Sequence, residues 1–172
     1  MSNAFMHAAS ADVFARMLNS LSGVLDKAEA HAKAKKFDME VLLNARLAPD
    51  MFSLTQQVQL ATVFAKNAMC RLAGQEPPNY EDIEKTLPEL RARIDRTLDI
   101  VGSIDAAALE GADARQITFR TGPDQTMTVP ARDYLLHFAM PNFYFHVTMA
   151  YAILRHNGVE LGKRDYMAPP AQ

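Results

Sequence analysis

Tyr134-Leu135-Leu136-His137-Phe138-Ala139-Met140-Pro141-Asn142-Phe143-Tyr144-Phe145-His146 sets a proline and several polar side chains inside an apolar run. It forms the middle of a long helical pattern that follows Pro130, continues through Thr148, Met149 and Tyr151, and stops at Asn157-Gly158, a pair suited to a helix C-terminus. Pro141 lies inside that pattern. A proline there removes an internal hydrogen bond and crowds the preceding turn, so the spacing predicts a kink or break near 137–140. Residues four apart share a helix face, which should project Asn142 and His146 together. Two histidines at that spacing would make a natural metal pair, because both imidazoles reach one point. The asparagine at 142 is a poor ligand for a transition metal.

The segment before Pro130 changes period. Ile117 and Phe119, then Gly122-Pro123-Asp124, then Met127 and Val129 alternate around a turn signal and predict a small β-hairpin. Upstream of it, Leu87, Leu90, Ile94, Leu98, Val101 and Ile104 recur at helical steps and predict a third helix ending at Gly102 or Ser103. Thr86-Leu87-Pro88-Glu89 opens it as a capping box, in which Thr86 and Glu89 each serve the other's backbone N–H, and Pro88 costs little in the first turn.

A second helix is expected from about Met51 to Ala73, stopped by Gly74 with Pro77-Pro78 beyond. Leu54, Val58, Ala61, Ala65, Ala68 and Leu72 form its inner stripe. Gln57 falls on that stripe, whereas Gln56 and Gln59 point more sideways. A buried amide without a partner costs about 1–3 kcal/mol, so Gln57 should have one. The first helix is expected from about Ala11 to Lys35, with Ser10 as its N-cap and Val13, Phe14, Met17, Leu21, Val24, Leu25 and Ala28 on its apolar face. A short helical turn, Met39 to Leu43, follows.

These elements amount to one all-α domain over residues 8–166, with residues 1–7 and 167–172 expected as flexible termini. The chain has 172 residues, 49% hydrophobic and 22% charged, enough to bury one core and too apolar for disorder. A formal net charge of −2 argues against nucleic acid, whose phosphates require a basic surface. No run approaches the roughly 20 apolar residues that span a bilayer. No basic and then apolar leader is visible either, so the expected setting is cytoplasmic. The single cysteine, Cys70, sits in an apolar helical stretch and reads as a small buried hydrophobe. Ten methionines and nine phenylalanines suit a core or a dimer face. Phosphate-loop and nucleophile-elbow patterns are absent.

Three stretches resemble an uncharacterised bacterial family, a domain of unknown function placed among the DinB/YfiT-like four-helix bundles. They are Leu42 to Met51, His137 to His146, and Arg155-His156-Asn157-Gly158 through Gly162-Lys163-Arg164-Asp165-Tyr166. The resemblance implies a DinB-like four-helix bundle and a homodimer; the residues add the small hairpin between the third and fourth helices and the kink in the fourth. Better-known members of that superfamily hold one divalent metal through three histidines, and several are thiol-dependent transferases or isomerases. One ligand lies on the second helix and two, four apart, on the fourth. By that resemblance His146 matches the second ligand of the fourth helix, Asn142 stands in the place of the first, and Gln57 stands near the second-helix ligand. One of three ligands remains.

Two arrangements of Gln57, Asn142 and His146 are then open. The three groups either form a satisfied polar network that fixes helix register, or line a pocket that orients a small-molecule ligand with His146 as the catalytic acid or base. Amides suit both roles, since each offers donor and acceptor to an imidazole. No cofactor is expected; a divalent metal, Ni or Zn, would have His146 as its ligand. His137 joins the cluster only if the break at Pro141 realigns it. Tyr144 and Tyr151, seven apart, share a face and could frame a rim, although aromatic residues at that spacing commonly belong to the core. His7 and His156 are expected at the surface, and His31 on a flank of the first helix.

Overall fold

Four apolar stripes at helical period find one another in the centre of the molecule. The computed structural model describes residues 2–167. The long helices are α1 (Asn3–Lys35), α3 (Leu54–Leu72), α4 (Leu87–Ser103) and α6 (Met140–His156), and between the first two lies the short α2 (Met39–Leu43). α3 is the central element, packed against α6 on one side and α4 on the other, while α1 closes the bundle against α4 and α6. Phe14, Leu18, Leu21 and Leu25 of α1, Leu54, Val58, Ala61 and Ala65 of α3, Leu90 and Ile94 of α4, and Phe143 and Ala150 of α6 are fully buried. Among the described residues no helix is long and apolar enough to cross a membrane.

Helix ends follow their side chains. Thr86 and Glu89 form the expected capping box on α4, with Pro88 in its first turn. Ser53 and Gln56 form a second such box on α3, which therefore begins at Leu54 rather than at about Met51. The first helix differs more. It starts at Asn3, with the Ser2 side chain accepting from Phe5 N, and Ser10 lies inside it rather than capping it. Buried Ser10 donates its hydroxyl to Met6 O at 2.6 Å, so the side chain that resembles a cap bonds back one turn. Met6 is itself buried in the core, which draws residues 3–7, expected as part of a flexible terminus, into the helix. At the other end Met167 closes a short helix, α7 (Lys163–Met167); residues 168–172 lie outside the described residues. Ser20 of α1 donates to the carbonyls of Asp165 and Tyr166, and Lys27 pairs with Asp165 at 2.7 Å, holding α7 on α1.

Strands β1 (Gln116–Gly122) and β2 (Gln125–Pro130) form the expected antiparallel hairpin, with Ile117 opposite Val129 and Phe119 opposite Met127. Ile117 and Phe119 are the buried members of β1, so its inward face covers the bundle while Met127 stays exposed. The strand pair leads straight into α5 (Ala131–Tyr134). Between α5 and α6 the backbone widens into a π-helical turn over Leu135–Ala139, where Met140 N–H bonds Leu135 O, five residues back. The departure from α-helix predicted for Pro141 occurs here. The proline then occupies the first turn of α6, where a missing N–H and a fixed φ do least harm.

Candidate functional site

The two polar side chains that α3 and α6 bring together are Gln57 and His146. Gln57 lies in the first turn of α3, where the Ser53 box sets the start of the helix. His146 lies near the middle of α6, on the side that packs against α3. Both are buried, at 1% and 6% exposure. His146 Nδ1 and Gln57 Oε1 are 2.8 Å apart. An amide oxygen only accepts, so Nδ1 carries the proton and donates, which leaves the Nε2 lone pair unprotonated. Gln57 Nε2 donates in turn to Phe52 O at 3.3 Å. The imidazole stacks on Phe64, with centroids 5.5 Å apart and planes 16° apart, and Phe145 meets it edge-on at 5.3 Å.

Burial pushes the His146 pKa down to about 4. The side chain is therefore neutral at neutral pH, a weak base and no reservoir of protons. A carboxylate in the place of Gln57 would stabilise the imidazolium; an amide fixes the ring's tautomer but contributes no countercharge. The pair thus supplies a rigid, uncharged hydrogen-bonding unit. Acid–base work at His146 would require a countercharge that Gln57 does not provide.

The other expected members lie elsewhere. Asn142 is half-buried and donates its amide to Phe138 O at 2.7 Å, serving the widened turn rather than Gln57 or His146. His137 is exposed, because the π turn leaves it on the outer side while Phe138 faces Phe64 and Phe119. Tyr144 is exposed, its ring packs on Phe143, and partial burial raises its phenol pKa. Tyr151 packs edge-on against Tyr166. Four surface clefts, of about 510, 570, 360 and 380 Å³, are lined by other residues than His146. Among the described residues no three His, Cys, Asp or Glu side chains group to hold a metal ion. With the Gln57 amide as its polar partner, His146 belongs to a donor set that does not fit nickel or zinc.

A larger buried polar cluster lies between α3, α4 and the segment that joins them, and the apolar stripes gave no notice of it. Arg93 has a side chain with 0% exposure and donates to Thr62 Oγ1 at 2.7 Å, Glu84 Oε2 at 2.9 Å and Asp82 Oδ1 at 2.8 Å. Gln59, expected to point sideways, is buried and donates to Glu84 Oε2 at 2.9 Å. Burial pushes the Glu84 carboxyl up, but hydrogen bonds from Gln59, a backbone N–H and Arg93 outweigh it and hold the pKa below the usual range. Lys66, buried and pushed down in pKa by that burial, donates to Pro78 O. The ring of Tyr80 lies under three cations, Lys66 at 4.3 Å, Arg93 at 4.9 Å and Arg96 at 4.1 Å. A signal for this cluster does exist in the sequence: Gln59, Thr62 and Lys66 recur at three- and four-residue steps on α3, and Arg93 and Thr97 lie four apart on α4.

The geometry can be set beside known proteins. Residues 6–167 match a family described as Domain of unknown function (DUF1993). No curated protein matches the chain. Among solved structures, a DinB family member protein from Shewanella denitrificans is 42% identical, superposes with a TM-score of 0.91, and the match covers 99% of this chain and 96% of that one.

Proposed function

This chain belongs to the DUF1993 family, within the DinB-like bundles, and from that premise we propose that it is a metal-independent bundle, structural or small-ligand-binding, whose metal site is degenerate. The observation that carries the proposal is the 2.8 Å bond between His146 Nδ1 and Gln57 Oε1. That bond joins α3 to α6 at the place where, by resemblance, relatives set metal ligands on those same two helices. It ties up the amide oxygen and one imidazole nitrogen in a neutral pair and leaves a single ligand-grade nitrogen. A metal-activated thiol reaction needs at least two more such groups. The homodimer and the cytoplasmic setting belong to the same proposal. The exposed Leu136, Tyr144 and Phe145 supply apolar surface for the dimer.

The test is metal analysis of the purified chain together with thermal unfolding under added Ni²⁺ or Zn²⁺. The expected results are substoichiometric metal and the same unfolding temperature with and without it, in the native chain and in His146→Ala alike. One equivalent of tightly held metal, or a metal-induced stabilisation that His146→Ala removes, would overturn the proposal. Such a result would restore the transferase or isomerase reading.

A further inference from the structure

We propose that the cleft between the end of α3 and the start of β1 binds a small oxyanion, a carboxylate or a phosphate, through Arg71 and Arg115. The cleft has a volume of about 380 Å³, and its lining includes Arg71, Gly74, Glu76, Arg115, Gln116 and Thr118. It is separate from the Gln57–His146 pair. Gln57 and Arg71 occupy the first and last turns of α3, roughly 21 Å apart along the helix at about 1.5 Å per residue.

Arg91, Arg93 and Arg132 each pair with carboxylates. Among the described residues Arg71 and Arg115, both half-buried, form no ion pair. Each gives one Nη1 to a neutral oxygen: Arg71 to the Tyr134 hydroxyl at 2.9 Å, and Arg115 to Leu72 O at the end of α3. A guanidinium has five N–H donors, so most of the donor capacity of both remains for another partner. Partial burial without a countercharge is costly, and a bound anion would remove that cost.

The turn at the end of α3 shapes the site. Gly74 has φ +72°, and a Cβ built there would meet Arg115 Cζ at 3.2 Å, Nε at 3.3 Å and Nη2 at 3.4 Å. The guanidinium therefore lies against the bare backbone of the glycine, in space that a side chain would take. Two planar forks beside one cleft match the paired oxygens of a carboxylate or a phosphate, which arginine binds bidentately. Thr118 and Gln116 add a hydroxyl and an amide. Glu76 is the one lining carboxylate; it lowers the affinity for an anion, and that supplies the sharpest test.

Calorimetric titration of the full-length chain with inorganic phosphate and with succinate, at low ionic strength, examines this directly. The expected result is saturable binding of one equivalent, weakened at least about tenfold in Arg71→Gln and Arg115→Gln, as loss of a charge-assisted hydrogen-bonding group of roughly 1.5–3 kcal/mol requires. Glu76 is exposed, so Glu76→Gln keeps the fold and should tighten binding about two- to fivefold, the scale of a surface charge pair. Should Arg115→Gln fail to fold for want of the Leu72 cap, Arg71→Gln and Glu76→Gln decide. Binding of phosphate alone or succinate alone assigns the oxyanion; binding of both leaves the shared chemistry. Absence of saturable binding by either, or affinities unchanged in Arg71→Gln and Glu76→Gln, would overturn the proposal.

Discussion

α3 carries two buried polar sites, and they solve the problem of burial in opposite ways. Near its N-terminus Gln57 meets His146 in a pair without charge, with burial keeping the imidazole neutral. Along its other flank Gln59 and Thr62 meet Glu84 and Arg93 in a network with full charges, in which all three guanidinium nitrogens of Arg93 are hydrogen-bonded. The difference lies in where the partners come from. Gln57 and His146 sit on helices that pack together in any case, so a single bond suffices to fix their register. The Arg93 partners Glu81, Asp82 and Glu84 belong to a segment without regular structure, which the buried arginine ties to the bundle together with the Gln59–Glu84 and Lys66–Pro78 hydrogen bonds and the cations over Tyr80. Charge in this molecule is concentrated where backbone needs anchoring.

The contrast makes the charged site the more fragile one. Arg93→Met should cost about 3–5 kcal/mol in urea unfolding, because it leaves Glu84 buried without its partner. It should also open the segment before α4 to proteolysis. A loss under about 1 kcal/mol would mean that the segment is held by its apolar contacts, and the comparison would fail. At the neutral site, Gln57→Leu strands the Nδ1–H of His146 and should cost about 1–3 kcal/mol. Adding His146→Phe should recover much of that loss, since removing both partners leaves no orphan. A double variant as unstable as the sum of the two singles would show that the two side chains contribute independently and that their bond carries no coupling energy.

The smallest expected effect is one of pH, and its sign follows from the lowered pKa. A histidine with a folded pKa of about 4 and an ordinary value of 6.5 binds its proton more readily when unfolded. Its stabilising contribution is complete above pH 6.5 and declines as pH falls toward 4, the reverse of a histidine paired with a carboxylate. Between pH 7 and pH 4.5 the native chain should lose about 1–2 kcal/mol more than His146→Phe, with allowance for the part of the ring edge that water still reaches. Identical pH profiles for the two proteins would sever the link between burial and neutrality on which the contrast rests.

The bundle was legible because its information is local. The stripe from Leu54 to Leu72, the Thr86–Glu89 box and the alternation around Gly122-Pro123-Asp124 each identify an element from a few neighbouring residues. The pairing of Gln57 with His146 was legible in part, because each lies on the inner face of its own helix. The separation of Asn142 from them was not. An i,i+4 rule places it beside His146, but asparagine in a helix also bonds backward to a carbonyl, and here it does. Arg93 is harder still. Its position on the buried face of α4 can be found from the period, yet its countercharges are supplied by a connecting segment whose path no local pattern specifies. Ser10 misled for the same reason as Asn142, as a side chain with two local uses.

The wide turn between α5 and α6 has a consequence for how the length of this chain can change. A bond reaching back five residues holds one residue more than a bond reaching back four, so 135–139 contain a single surplus residue. A one-residue deletion there would let the backbone rejoin as an uninterrupted α-helix. Pro141 would then press on the carbonyl four positions before it, and everything upstream, from Tyr134 to the hairpin, would turn by one residue's step about the helix axis relative to His146. The surplus residue and the proline are therefore one feature written in two places. A chain that loses either should retain a well-packed helix only by losing the other.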